Sequence, residues 1–342
     1  MAETVTGALL QVEDLKVTFA GRGRPVRAVD GVSFSVYPGQ TLAIVGESGS
    51  GKTVSCRAVM GLLPSSAAIS GSACFAGTQL IGLTDDQLRA HRGVNVAMVF
   101  QDPTRSLNPT MRIGSQIAEA VRAHRPVSKA QARERAVELL RLVHIPLPER
   151  RCEEYPHQLS GGMRQRVMIA IALACRPRLL IADEATTALD VTTQAQIMEL
   201  LLELQAELGM ALMLISHDLG LAASYADDVI VMYAGRIVEQ APALRLFSRV
   251  RMPYTQALLE AIPRLERPAH APLPVIGGRP PDLSALPAGC SFAPRCQHAA
   301  DDCRTAEPPL AEHEPGHRWA CWHPVGQGGS GGMGPPGKDG KK

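Results

Sequence analysis

Residues Gly46 to Thr53 read GESGSGKT, a glycine-rich turn that ends on a lysine and a threonine. Such a turn can hold a phosphate only where a buried strand enters it and a helix leaves it, because the ligand rests on backbone N–H groups at the helix N-terminus. Both neighbours are present. The preceding TLAIVG is almost wholly apolar, and the run from Lys52 to Leu62 has helical spacing. A strand with no polar face is buried on both sides, as in a parallel sheet covered by helices. RLLIADE, from Arg178 to Glu184, has the same texture. The alternation of such strands with helices makes this an α/β protein that carries a phosphate-binding turn.

Away from that centre the pattern changes. From about Leu9 to Val36, apolar and polar residues alternate between turn signals, which predicts short antiparallel strands. Helices are expected over Ser128 to Val143, again after Ser160, and over Thr193 to Leu208, with further strands at Ala211 to Ser216 and Asp228 to Tyr233. After Ala261, proline and glycine become too dense for regular structure, which places a boundary near residue 263. The expected organisation is a nucleotide-binding domain over residues 8–262, a proline-rich, cysteine-containing C-terminal domain over 263–325, and a glycine-rich, disordered tail over 326–342.

The formal net charge of +2 is too small to recruit nucleic acid or anionic lipid by its field alone. Acidic residues precede the first apolar run and no basic segment leads it, so the expectation is a cytosolic chain without a secretory signal. Apolar stretches such as VMIAIALAC, from Val167 to Cys175, fall short of the roughly 18 residues that cross a bilayer. Any membrane role is then expected to use other subunits.

The cradle itself comprises Gly46, Glu47, Ser48, Gly49, Ser50, Gly51, Lys52 and Thr53. Its glycines admit backbone N–H groups to a β-phosphate, Lys52 neutralises the β- and γ-phosphates, and the Thr53 hydroxyl is a magnesium ligand. Asp183 ends an apolar strand, where a carboxylate is delivered towards a metal at the carboxyl edge of a sheet. Glu184 follows and is placed to take a proton from water in line with the γ-phosphate. Gln101 and His217 come after the strands VAMVF and ALMLIS, so both should project from that edge. Either alone reads equally as an ordinary satisfied polar group. A second glycine pair stands in LSGGMRQR, from Leu159 to Arg166. There Ser160 is an N-cap, and Gly161 and Gly162 leave room for an anion at the helix end; alone, the stretch also reads as a plain capped helix.

In order, GESGSGKT, VFQDP, LSGGMRQR, LLIADEATTALD and LISHDL resemble the ATP-binding subunits of ABC transporters, over about residues 8–250. The resemblance implies an ABC ATPase core with an antiparallel β subdomain and a helical signature subdomain. It also implies two such units packed head to tail, the LSGG segment of one closing over ATP held by the other. On that basis Glu184 is the general base, Gln101 contacts magnesium and the attacking water, His217 holds the γ-phosphate, and Asp190 lies at the dimer seam. Phe19, in LKVTF, is the candidate to stack on adenine, with a core position as the alternative. Met163 and Ala185 stand where the family often has glutamine and proline, and neither change removes a phosphate or metal contact.

YPHQLSGG, MPYTQALLEAIP and PPDLSALPAGCSFAPRC narrow the resemblance to dipeptide and oligopeptide importers, as far as about residue 323. Such a subunit hydrolyses ATP beside a second, related ABC ATPase subunit, beneath two transmembrane permease subunits supplied by an extracytoplasmic peptide-binding protein. It is peripheral, on the cytoplasmic face of the inner membrane, and has no nucleic-acid partner. Related importers take nickel, opines, glutathione or oligosaccharides. Soluble relatives that act on ribosomes or DNA usually carry two ATPase units or a coiled-coil insertion, and this sequence shows neither.

Cys290, Cys296, Cys303 and Cys321 crowd the end of the chain. A reducing cytosol disfavours disulfides, and no C-x-x-C pair supports a zinc ribbon. Four thiolates on an arm with little core of its own suit a metal that stabilises the fold directly. Members resembling this pattern can carry a 4Fe-4S cluster; zinc and free thiols are the alternatives, with His298, His313, His317 and His323 as substitute ligands. Cys56, Cys74, Cys152 and Cys175 read as buried, unreactive thiols.

Overall fold

A computed structural model describes residues 7–20, 24–187, 189–262 and 275–326. Its strands are β1 (Leu10–Phe19), β2 (Val26–Val36), β3 (Thr41–Val45), β4 (Ala67–Phe75), β5 (Thr78–Gln79), β6 (Val96–Val99), β7 (Leu179–Asp183), β8 (Ala211–Ser216), β9 (Asp228–Tyr233), β10 (Arg236–Pro242), β11 (Ala311–Glu314) and β12 (His317–Trp319). They form two sheets, one in the order β2-β1-β4-β5 and one in the order β11-β12-β10-β9-β3-β8-β7-β6. In the larger sheet β9, β3, β8, β7 and β6 are parallel, so their carboxyl ends share one edge.

The apolar texture of these strands has the expected cause. Along β3, Leu42 and Ile44 enter one core while Ala43 and Val45 enter another, and β8 divides in the same way between Met213 and Ile215 on one face and Leu212 and Leu214 on the other. Side chains alternate across a strand, so a sheet between two cores needs apolar residues at every position. One core lies under the smaller, antiparallel sheet and the helix Lys52–Val59. The other gathers the helices Ile113–His124, Lys129–Leu142, Gly161–Ala172 and Val191–Leu208. Ser128 starts the second of these with a capping box to Gln131.

Several expectations change. β1 and β2 are long, 10 and 11 residues, and a bulge interrupts their register near Asp14, where φ is 45° and the backbone N–H donates to Ser33 Oγ at 2.9 Å. The helix after the phosphate turn stops at Val59 rather than Leu62. Gly61 has left-handed φ there, and a Cβ on it would come within 2.4 Å of Leu88 Cδ1.

The C-terminal arm is the largest revision. Residues 263–274 and the glycine-rich tail from 327 onward lie outside the described residues, whereas β11 and β12 form a hairpin that extends the larger sheet. Trp319 of β12 is paired with Glu239 of β10. Beside that pairing the fully buried His317 meets the equally buried Glu239 at 2.9 Å. The arm thus shares a sheet with the rest of the chain.

Candidate active site

The phosphate turn leaves β3 at Val45 and enters the helix Lys52–Val59. Its shape demands glycine at two places. A Cβ on Gly46 would lie 2.2 Å from the Met232 carbonyl oxygen, and one on Gly51, at φ 102°, would lie 2.5 Å from the Ala28 carbonyl oxygen. Lys52 is 4% exposed and folds back over the turn, donating to the carbonyl oxygens of Gly46 at 2.7 Å and Glu47 at 2.9 Å. Burial lowers its pKa, and the carboxylates of Glu184, Asp183 and Glu47 pull in the opposite direction.

Parallel strands bring the other groups to the same edge. Asp183 closes β7, is 2% exposed, and accepts from Thr53 Oγ1 at 2.6 Å; Arg57 Nη2 lies 3.7 Å from its second oxygen. Burial raises the Asp183 pKa against the Thr53 hydrogen bond and the Arg57 charge. Such a carboxylate, desolvated and touching a threonine hydroxyl, is the donor set a divalent cation relieves.

Glu184 is where strand geometry ends. Its N–H still donates to the Ile215 carbonyl at 3.0 Å, but φ is 48°. That left-handed step turns the side chain along the edge instead of into a core face. Its carboxylate accepts from Gln101 Nε2 at 2.7 Å and lies 3.8 Å from His217 Nδ1. Gln101, Glu184 and His217 therefore meet, as do Thr53 and Asp183.

The remaining candidates lie apart from this cluster. Ser160 caps the helix Gly161–Ala172, accepting from the Met163 N–H at 3.3 Å, and Ser160 and Gly161 are exposed. Gly162 has a reason internal to the chain, because a Cβ there would sit 2.7 Å from Thr193 Cγ2. Asp190 caps the helix Val191–Leu208, taking hydrogen bonds from the Thr193 N–H at 2.9 Å and hydroxyl at 2.7 Å, and these bonds hold its pKa below the usual carboxylate range. Phe19 is half-buried at the end of β1 and packs in part on the core of the antiparallel sheet.

Three neighbours of the phosphate turn escaped the sequence reading. Arg57 is one. Tyr254 Oη accepts from the Glu47 N–H at 2.9 Å, and Arg295 grips the Glu47 carboxylate with two hydrogen bonds, of 2.6 and 2.9 Å. The stretches that hold them, MPYTQALLEAIP and SFAPRC, carried a family signal but no local sign of contact with residue 47.

Cys290, Cys296, Cys303 and Cys321 line one small cavity together with His298 and His323. Burial pushes the Cys321 thiol up to about 12 and also raises Cys290 and Cys296, with neighbouring cysteines adding to each shift. Four cysteines on one cavity are a donor set that a cation or cationic cluster could use in thiolate form, although among the described residues the ligand atoms that lie within 4.8 Å of one another are those of Asp302, Cys303 and His323. The histidines are less free than expected. His317 is paired with Glu239, His313 stacks on Trp319, and His323 Nε2 contacts Asp302 at 2.9 Å. Of the other cysteines, Cys56, Cys152 and Cys175 are buried and Cys74 is half-buried. Burial raises the pKa of the three buried thiols.

Comparison with known proteins gives a consistent result. The ABC transporter family matches residues 29–187, and the oligopeptide/dipeptide transporter C-terminal region matches residues 238–303. A Sinorhizobium fredii protein named "Probable peptide ABC transporter ATP-binding protein" is 52% identical over 92% of this chain and 94% of its own length. The oligopeptide transport ATP-binding protein of Escherichia coli is 50% identical over 95% of this chain and 96% of its own. The dipeptide transport ATP-binding protein of the same organism is 50% identical over 94% and 98%. Among solved structures, a dimeric ATP-binding cassette in a post-hydrolysis state with ADP and phosphate aligns with a TM-score of 0.61 at 28% identity, covering 68% of this chain and 98% of that one.

Proposed function

This chain belongs to the ATP-binding proteins of ABC transporters, and from that membership we propose that it is the ATP-hydrolysing subunit of a dipeptide or oligopeptide importer. The observation that carries the reading is the convergence of Thr53 with Asp183, and of Gln101 and His217 with Glu184, on the edge where the phosphate turn opens. No helix among the described residues is long and apolar enough to cross a membrane. Transport then uses separate permease subunits, fed by a peptide-binding protein, with this chain peripheral at the membrane's cytoplasmic face.

In this reading the turn and Lys52 bind the triphosphate; Lys52 exchanges its carbonyl partners for phosphate oxygens. Thr53, Asp183 and Gln101 would hold magnesium, which when bound supplies positive charge beside the β- and γ-phosphates. Glu184 takes the proton of the attacking water, with Gln101 and His217 fixing its carboxylate and His217 also reaching the γ-phosphate. Ser160, Gly161 and Gly162 close over nucleotide held by a second ATPase subunit, identical or related, with Asp190 near that seam and Phe19 stacking on adenine. Cys290, Cys296, Cys303 and Cys321 would hold a 4Fe-4S cluster, with zinc as the alternative. Either one, when bound, cross-links four segments of an arm that has little core of its own.

The test is uptake of labelled dipeptides and oligopeptides by vesicles carrying the chain with its permeases and binding protein. ATP-dependent uptake that Lys52→Ala abolishes is the expected result. Uptake of nickel, glutathione or an oligosaccharide in place of peptide would overturn the substrate assignment. Iron and sulfide assays on anaerobically purified protein decide between cluster and zinc.

A further inference from the structure

Arg295 lies 248 residues from Glu47 in sequence, yet it is one of the most elaborately held side chains in the structure. Its side chain is 5% exposed, and its guanidinium makes paired hydrogen bonds of 2.6 and 2.9 Å to the two Glu47 oxygens. Nε donates to the Gly277 carbonyl at 2.8 Å, and Nη1 also reaches Tyr233 Oη at 3.3 Å. Below it Tyr233, Tyr254 and Phe292 pack ring to ring, with centroids 4.5 to 5.3 Å apart. Tyr254 takes the Glu47 N–H from that side. Glu47 is thus fixed by both its side chain and its N–H, and its carbonyl oxygen is a partner of Lys52 Nζ.

This arrangement meets an electrostatic need. Glu47 is an acid inside a loop whose proposed ligand is a triphosphate, and a free carboxylate there would repel it. A buried, bidentate guanidinium cancels that charge and holds it in place, which lysine at the same position could not do in two directions at once. We propose that Arg295 is a positioning residue for the phosphate loop, through which the C-terminal extension neutralises Glu47 and sets the affinity for nucleotide. Arg295 stands between Cys290 and Cys296 in sequence, so the segment that presents the thiols also presents the clamp. The inference rests on the reading of residues 46–53 as a nucleotide site.

The experiment measures binding of a fluorescent ADP analogue with magnesium to the full chain and to Arg295→Met, Glu47→Gln and the double variant, alongside their melting temperatures. Arg295→Met should weaken binding about tenfold by leaving an unpaired carboxylate beside the phosphates. Glu47→Gln, which leaves the Arg295 charge unopposed beside the phosphates, should bind more tightly than wild type. The double variant should bind more tightly than Arg295→Met, because the uncompensated carboxylate is gone. A role limited to holding the extension in place predicts the double variant to be at least as weak as Arg295→Met. That result, or unchanged binding in Arg295→Met, overturns the proposal. Absence of binding by the wild-type chain would instead overturn the nucleotide reading itself.

Discussion

Two helices of this chain begin on glycine beside small hydroxyl residues, and the rest of the protein treats them differently. The helix Lys52–Val59 starts from Gly51 with no side-chain cap, and its approach is gripped by Lys52, Tyr254 and Arg295. The helix Gly161–Ala172 starts from Ser160, which satisfies one N–H by itself and remains exposed. Identical chemistry, an N-terminal dipole with glycines for close approach, is enclosed in one place and presented outward in the other. On the proposed reading the first helix holds this chain's own nucleotide and the second completes a neighbour's site. Arg164, on the second helix, bonds Thr104 at 3.3 Å, so the outward helix is also linked to the segment that follows Gln101.

Substitutions can break that contrast to different degrees. The largest effect is expected from Glu184→Gln, which should lower kcat by about 10²–10³-fold while leaving ATP binding intact, and should accumulate closed dimers detectable by light scattering. Wild-type turnover in this variant would remove Glu184 from its role. A smaller effect is expected at the outward helix. In dimers that pair a wild-type chain with a chain carrying both Lys52→Ala and Ser160→Ala, turnover at the one working site, which holds ATP on the native Lys52 and faces the altered serine, should fall about tenfold relative to dimers whose altered chain carries Lys52→Ala alone, while the Ser160→Ala single variant binds its own ATP normally. An unchanged rate at that site would mean that Ser160 only caps its helix.

The smallest effect concerns stability. Burial holds the Asp183 pKa above its ordinary 3.8, so the folded state binds its proton more tightly than the unfolded state does. Stability from this group therefore rises as pH falls through the folded value, and the burial penalty is fully present at neutral pH. Asp183→Asn should raise the melting temperature of the nucleotide-free chain at pH 7 by about 2–4 °C, with the gain shrinking as acid protonates Asp183 in the parent. A lower melting temperature at pH 7 would show that the Thr53 and Arg57 contacts outweigh desolvation.

What the sequence revealed follows the same division. β8 and β9 fall where all-apolar runs predict them, Ala211–Ser216 and Asp228–Tyr233, because a strand between two cores has no other composition available. Residues that follow strand ends, such as Gln101, Glu184 and His217, were placed on one edge by parallel topology alone. The left-handed φ of Glu184 had no local mark, since neither glycine nor asparagine stands there. The Arg295 clamp and the pairing of β12 with β10 were hidden for a different reason. Each joins segments far apart in the chain, and periodicity reports only on near neighbours. Gly162 carries two readings at once, close approach to an anion and clearance from Thr193, and only the second is a contact within this chain.

The proposed composite site is tested most directly by ATP turnover per molecule as a function of protein concentration, with and without the proposed partner ATPase and permeases. The account predicts turnover that climbs with concentration as dimers form and rises again when permeases are added. Full-speed hydrolysis by dilute, monomeric protein, unchanged by either addition, would contradict it.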